Sequence, residues 1–336
     1  MMRTVFEDQW VTAVAHPNIA LIKYWGKRDE QLILPTTDSL SMTLDIYPTT
    51  TRVRVCAEAG ADAVHIDDAP AIGEAYGRVT RFLDLVRELS GRTEYASVNT
   101  RNTVPAAAGL ASSAAGFAAL ATASAAAYGL QLDSMALSRL ARRGSGSASR
   151  SIFGGFAVWR AGTGHSDVES YAEPIDRGGL DPALVVAVVD PGPKTMSSRD
   201  AMRHTVQTSP LYWSWVASSR VDIADMRVCI ERGDLCGTGE IAEHNALGMH
   251  ATMLAARPAV RYLSAASLTV IDTVAELRRA DIAAYVTVDA GPNVKVLCDC
   301  ASAGAVAEAL RSLDCVRKVV TARPGPGARL LSRSLQ

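Results

Sequence analysis

Residues 105–115 read PAAAGLASSAA, and they open a run of 22 residues without a charge, from Gly109 to Leu130. Glycine and serine at a helix start leave backbone N–H groups free to face an anion, and the helix dipole adds a positive end there. Serine hydroxyls can also donate to phosphate or ligate Mg2+. The same letters equally spell a capped, alanine-rich packing helix, because Ser-Ser before Ala is an ordinary N-terminus. The segment has neither the Gly-Lys-Ser/Thr ending of a Walker loop nor a dinucleotide fingerprint. On paper the run is long enough to cross a bilayer. It is built of Ala, Ser and Gly rather than Leu, Ile and Val, so a buried helix over 112–128 explains it better.

Strand-like and helix-like stretches alternate around this helix. β-Branched residues predict strands over 12–15 and 51–56, residues 95–99 look like a strand, and apolar runs make 156–159 and 184–189 strand candidates. Apolar residues at Tyr76, Val79, Phe82, Leu83 and Val86 have the spacing of a helix over 74–90. Asp133 is a plausible N-cap for a helix over 134–143, with glycines at 144 and 146 as its stop. The breaker cluster Asp190-Pro-Gly-Pro193 divides the chain into an expected unit 1–190 and a second unit 191–336. Helices over 198–208, 211–232, 235–256, 268–279 and 301–313 then accompany strands over 283–288, 294–298 and 316–321. Helices beside a short antiparallel sheet give an α+β class.

The chain has 336 residues, enough for two domains, and a net charge of −1. No broad basic surface advertises nucleic acid or membrane, so any anionic ligand is held by locally clustered cations. The six cysteines form no CxxC pair and have no zinc-site histidine spacing, which suits buried thiols in a reducing, cytoplasmic setting. Residues 1–10 carry Glu7 and Asp8 and read as no secretory signal. His244 and His250, six apart on a helix, face different directions and propose no transition-metal site.

Two further strings carry chemistry. In Asn18-Ile-Ala-Leu-Ile-Lys23-Tyr24-Trp25-Gly26-Lys27 a lysine interrupts an apolar run, where a buried ammonium is costly unless paired. Extended backbone would put Lys23, Trp25 and Lys27 on one face, although Lys23 can also snorkel and Trp25 reads better as core. In Asp289-Ala-Gly-Pro-Asn293 a carboxylate stands where a strand breaks into a turn, poised over a cleft or simply capping the turn. The Gly/Ser stretch from Arg142 to Arg150 suits phosphate or carboxylate, or serves as a solvated linker. Lys194–Asp200 opens a helix with hydroxyls and cations at its positive end.

Together NIALIKYWGK (18–27), LPTTDSLSMTL (34–44), PAAAGLASSAA (105–115), GSGSASR (144–150), SSRDAM (197–202) and DAGPN (289–293) resemble mevalonate diphosphate decarboxylases. That family lies within the superfamily of galactokinase, homoserine kinase, mevalonate kinase and phosphomevalonate kinase. The resemblance spans most of the chain in family order. It implies a two-domain small-molecule-kinase fold, with an N-terminal S5-like α/β domain, a C-terminal ferredoxin-like domain and the active site in the cleft between. It also implies a homodimer, ATP and Mg2+ as cofactors, and mevalonate diphosphate as substrate.

By the same resemblance Asp289, Lys23 and Arg150 are the expected catalytic residues, with Arg150 gripping the substrate carboxylate. Tyr24, Lys27, Ser145, Gly146, Ser147, Ser198 and Arg199 are expected at its diphosphate end. Pro105, Gly109, Leu110, Ser112 and Ser113 are expected around ATP, with Ser112 and Ser113 near Mg2+. Asp38 stands where many relatives carry asparagine and receives no role, since it adds negative charge near an anion site. The alternatives are a mevalonate 5-phosphate decarboxylase, a mevalonate 3-kinase, or an ATP-binding relative without catalysis.

Overall fold

The computed structural model describes residues 9–104, 112–190 and 196–332. Its elements run β1 (Val11–Ala15), β2 (Asn18–Ile22), β3 (Lys27–Asp29), β4 (Leu34–Pro35), β5 (Ser39–Thr43), β6 (Thr49–Cys56), β7 (Ala63–Ile66), β8 (Ala69–Pro70), α1 (Gly73–Ser90), β9 (Tyr95–Asn102), α2 (Ser112–Ala127), α3 (Ser134–Gly144), α4 (Ala148–Ser151), β10 (Phe156–Trp159), β11 (Ala172–Ile175) and β12 (Pro182–Val188). They continue with α5 (Ser198–Thr208), α6 (Tyr212–Glu231), α7 (Leu235–Leu254), α8 (Ala265–Arg279), β13 (Ala284–Val288), β14 (Val294–Asp299), α9 (Ala303–Arg311), β15 (Lys318–Ala322) and β16 (Arg329–Leu330).

One sheet has the order β16-β1-β6-β9-β7-β8, antiparallel except for β7 beside β9. Along β6, burial alternates residue by residue, as a strand half-covered by helices requires. Its covered face packs Val53, Val55, Ala96 and Val98 against Phe82, Leu83 and Val86 of α1 and against α2. Helix α2 is buried on almost every side. Small side chains let it approach the sheet, and its hydroxyls are satisfied internally: Thr122 donates to the Ala118 carbonyl (2.8 Å) and Ser124 to that of Leu120 (2.6 Å).

Asp133 caps α3 as expected, accepting from the Ala136 amide at 2.7 Å. The helix ends as expected at the first of the two glycines, with Gly144 as its last residue. A Cβ there would lie 1.9 Å from the Phe117 ring, so the glycine lets α3 lie against α2.

A second sheet, β11-β10-β5-β2, and a third, β13-β14-β12-β15, complete the main layers. Although β12 precedes Asp190 in the chain, it pairs with β14 and β15 of the later sheet. Conversely, β16 returns to β1. One face of the third sheet packs Val185, Val286 and Val296 against α8 and α9. The other shares a core with the second sheet, where Leu184, Val186 and Leu297 meet Ile19, Leu40 and Phe156. This shared core fixes the two halves across a cleft.

Among the described residues no helix is long and apolar enough to cross a membrane. The cysteines carry no disulfide. The expectation that they are all buried fails, because Cys236 is exposed and Cys298 is the buried one; at the other four the thiols are half-buried.

Candidate active site

Strand β2 delivers Lys23 into the protein interior. The residue is 2% exposed, so its amine does not snorkel outward. The Lys23 Nζ donates to Asp289 Oδ1 at 2.7 Å and to the Ala20 carbonyl at 2.8 Å, while its backbone N–H donates to Asn245 Oδ1 at 2.8 Å. Strand β2 ends at Ile22, so the shared extended face expected for Lys23, Trp25 and Lys27 does not form. Trp25 packs with Tyr212 and Trp215 in a separate core, and Lys27 pairs with Glu30 at 2.5 Å. The chain turns at Gly26 (φ +109°), where a Cβ would fall 1.7 Å from Tyr212 Oη.

Asp289 follows β13 and does not cap its own turn. Asn293 instead ties this turn to the end of β12: its Oδ1 accepts from the Val189 (2.8 Å) and Asp190 (3.1 Å) amides and its Nδ2 donates to the Asp190 carbonyl. The Asp289 carboxylate is therefore released to the cleft, set deep among protein atoms yet with 37% of its side chain open to the cavity. A second ammonium meets it: Lys295 Nζ lies 3.2 Å from Oδ2. Burial alone would push this carboxyl up, but Lys23 and Lys295 outweigh it and hold it well below the usual carboxylate range. Lys23 moves the other way: burial lowers it, and Lys295 and Arg150 add to that, while Asp289 opposes.

Arg150, in α4, is 2% exposed. Its guanidinium donates to Ser39 Oγ (2.5 Å) and Asn18 Oδ1 (3.4 Å), lies 5.8 Å over the Trp159 ring, and leaves Nε without a partner among the described residues. No carboxylate lies within ion-pair distance of it among the described residues, and burial pushes it down to about 10. Three buried cations (Lys23, Lys295, Arg150) thus face one carboxylate. An excess of two buried positive charges calls for an anionic ligand.

A cavity of about 1000 Å³ collects these groups. Lys23, Tyr24, Lys27, Ser145, Gly146, Ser147, Arg150, Ser198, Arg199 and Asp289 all line it, together with Ser113. Ser113 Oγ lies 3.4 Å from Ser145 Oγ, so the tip of α2 meets the serine loop. Ser112 opens the described part of α2 and is exposed, outside the lining. Pro105, Gly109 and Leu110 lie outside the described residues, as do Lys194 and Thr195. Tyr24 stacks edge-on to Trp159 at 4.7 Å, and its buried hydroxyl has no partner among the described residues. A Cβ at Gly146 would meet both rings at 2.8 Å, which makes glycine necessary there.

Ser197 caps α5, accepting from the Asp200 amide at 3.1 Å, so capping and cavity lining coexist. Arg199 reaches Glu74 of α1 at 3.6 Å across the cleft mouth. Arg142 leaves the cavity: fully buried, it donates to the Ser170 carbonyl and sits by Asp167. It braces β11 instead of binding a ligand. Asp38 accepts from the Ala161 amide at 2.7 Å and does not line the cavity, so the negative charge expected near an anion site lies outside it.

The sequence reading missed three contributors. Lys295 stands between valines in a strand buried on both faces, the same misfit that drew attention to Lys23. Arg78 of α1 lines the cavity mouth over the Phe117 ring, with nothing in its sequence surroundings to mark it. His250, buried on α7, lies 3.3 Å from the Val288 carbonyl beneath Asp289, and burial lowers its imidazole to about 4.

Comparison with known proteins bears on this cleft. A diphosphomevalonate decarboxylase-like N-terminal domain model matches residues 15–172, and a mevalonate 5-diphosphate decarboxylase C-terminal domain model matches residues 184–324. The diphosphomevalonate decarboxylase of Aspergillus fumigatus is 36% identical over 315 residues, 88% of this chain and 77% of that protein. A solved structure of MDDEF in complex with MVAPP, AMPPCP and magnesium superposes with a TM-score of 0.90 at 44% identity, covering 96% of this chain and 99% of that one. The crystal structure of mevalonate diphosphate decarboxylase from Staphylococcus aureus gives 0.92 at 39% identity, covering 96% and 98%.

Proposed function

The chain belongs to the diphosphomevalonate decarboxylase family, and from that premise we propose how its cleft carries out the ATP-dependent decarboxylation of mevalonate 5-diphosphate. The observation that carries the assignment of roles is the pair of unbalanced positive charges buried around Asp289.

The substrate brings a tertiary alcohol, a carboxylate and a diphosphate. Hydroxide is a poor leaving group. Transfer of the γ-phosphoryl group of ATP to the 3-oxygen turns it into a good one, with ADP formed and the hydroxyl proton released to solvent. The C3–O bond then breaks with its electrons on phosphate. The bond to the carboxylate breaks next, its electrons forming the new C=C as CO2 leaves, and isopentenyl diphosphate remains.

Asp289, held ionised by two ammonium groups, is a weak base. Its part is to accept the hydrogen bond of the 3-hydroxyl and to supply negative charge beside the carbon that becomes positive. Arg150 offers a fork to the substrate carboxylate. Lys23 balances Asp289 and faces the reacting groups. Tyr24, Ser145, Ser147, Ser198 and Arg199, with Lys27 at the rim and Gly146 making room, hold the diphosphate end. Ser113 and Ser112 hold phosphates of ATP.

Among the described residues no cluster of three His, Cys, Asp or Glu could hold a metal. The serine hydroxyls give a sparse set of oxygen donors, which suits Mg2+, an ion commonly held by one or two protein groups plus phosphate and water. Held there, Mg2+ would neutralise phosphate charge during transfer. We propose further that the protein is a cytoplasmic homodimer. Its cysteines without disulfides support the first, and the exposed Trp213, Val221 and Val228 of α6 support the second.

Parallel assays of mevalonate, its 5-phosphate and its 5-diphosphate with MgATP test the substrate. The diphosphate is expected to give by far the highest kcat/KM. Preference for the 5-phosphate would favour the alternative decarboxylase, because the rim cations would then be surplus.

A further inference from the structure

Two ammonium groups reach the Asp289 carboxylate from different parts of the fold. Lys23 arrives from the end of β2 and holds Oδ1; Lys295 arrives from β14 and holds Oδ2. A carboxylate pinned at one oxygen can still swing about its last bond. Pinned at both, it presents one plane to the cavity. The second pin is itself rigidly mounted, since Lys295 Nζ also donates to the Asn293 carbonyl at 3.2 Å. Asn293 is clipped to the end of β12, and the neighbouring Pro292 carbonyl accepts from Ser267 Oγ at 2.6 Å.

Stability does not account for this lysine. Two residues along the same face of β14 stands Leu297, in the core shared by the two halves. A leucine-like side chain at 295 would avoid burying an ammonium that is 1% exposed. Its removal would not orphan Asp289, which keeps Lys23, and would reduce the buried positive excess.

Resting on the reaction proposed above, we infer that Lys295 is a positioning residue: its ammonium, clamped between Asp289 Oδ2 and the Asn293 carbonyl, fixes the plane in which Asp289 meets the 3-hydroxyl. The charged and titratable groups facing Lys23 in this cluster are Asp289, Lys295, Arg150 and His250, with the Asn245 amide from α7. Lys295 is one of the cations that keep the Lys23 ammonium below the ordinary value of 10.5, so losing it lets that value rise.

The test compares wild type, Lys295→Met and Lys295→Arg for thermal midpoint and for kcat and KM on mevalonate diphosphate with MgATP across the alkaline range. For Lys295→Met, kcat is expected to fall about ten- to a hundred-fold with KM within about threefold, as misplacement near reacting atoms does. Its thermal midpoint stays at or above wild type, and the alkaline limb moves to higher pH. Lys295→Arg keeps the limb in place and recovers part of the rate. A Lys295→Met enzyme with wild-type kcat, or with an unmoved limb, overturns the inference alone. One that fails to fold also overturns it, assigning the lysine to the core. A wild type that releases no CO2 overturns the reaction and the inference together.

Discussion

Replacing Asp289 by asparagine separates binding from chemistry at the centre of the cleft. The side chain keeps its shape and loses its charge, so the two contacts at 2.7 and 3.2 Å change from ion pairs to neutral hydrogen bonds. At those separations the two pairs are worth about 6 and about 5 kcal/mol at an effective dielectric near 20. The cavity leaves 37% of the side chain open, which screens part of that. A net loss of about 2–3 kcal/mol of stability follows, lowering the thermal midpoint by several degrees. Binding moves the opposite way. The buried positive excess rises from two to three, so calorimetric affinity for mevalonate diphosphate without ATP holds or tightens. Turnover loses the group that faces the alcohol and the negative charge beside C3, a decrease of about 10³-fold, or roughly 4 kcal/mol in the barrier. The assay is CO2 and ADP release under saturating substrate. A variant within tenfold of wild type would refute the role given to Asp289.

Arg150→Met removes the fork for the substrate carboxylate, and KM for the diphosphate substrate is expected to rise by about 10²-fold; an unchanged KM counts against that contact. Gly26→Ala meets both a positive φ and the Tyr212 hydroxyl at 1.7 Å, so it is expected to cost about 2 kcal/mol or more in urea unfolding, and a neutral result would mean the turn relaxes freely. His250 has a folded value of about 4 against 6.5 in the open chain, so below pH 6.5 the unfolded state takes up a proton that the folded state refuses. Stability therefore falls by up to about 3 kcal/mol as pH drops from 6.5 to 4, and His250→Gln should flatten that slope; an identical slope in the variant contradicts the assignment.

Regular elements with a one-sided or β-branched pattern were readable from the sequence: β6, β9, α1 and the Asp133-capped α3 all form where those signals lie. Strands with both faces buried were harder. In β5 the sequence Ser39-Leu-Ser-Met-Thr43 sends Leu40 and Met42 into the core, while buried Ser39 meets Arg150, so the apolar-polar alternation does not mark a solvent face. In β2 residues 19–22 are wholly apolar, and the signal that the sequence offers is Lys23, just past the strand's end. Gly144 marked the helix end, and only the distance to Phe117 gives its reason. Within the site, the residues named from the motif strings share one cavity wherever they are described, apart from Ser112. Lys295 lay just past the last string and Arg78 lay between strings. Lys295 carries a local signal, a lysine between valines in a buried strand, whereas the place of Arg78 comes only from packing across the cleft.

Phosphorylation at O3 and loss of CO2 are expected to occur in one cleft and in one turnover. Incubating the protein with mevalonate 5-diphosphate and MgATP while quantifying CO2, ADP, phosphate and isopentenyl diphosphate tests this directly. Equal amounts of all four are expected at every time point. ADP accumulating with neither CO2 nor free phosphate would reveal a kinase that stops at the phosphorylated alcohol, and would rule out decarboxylation in this cleft.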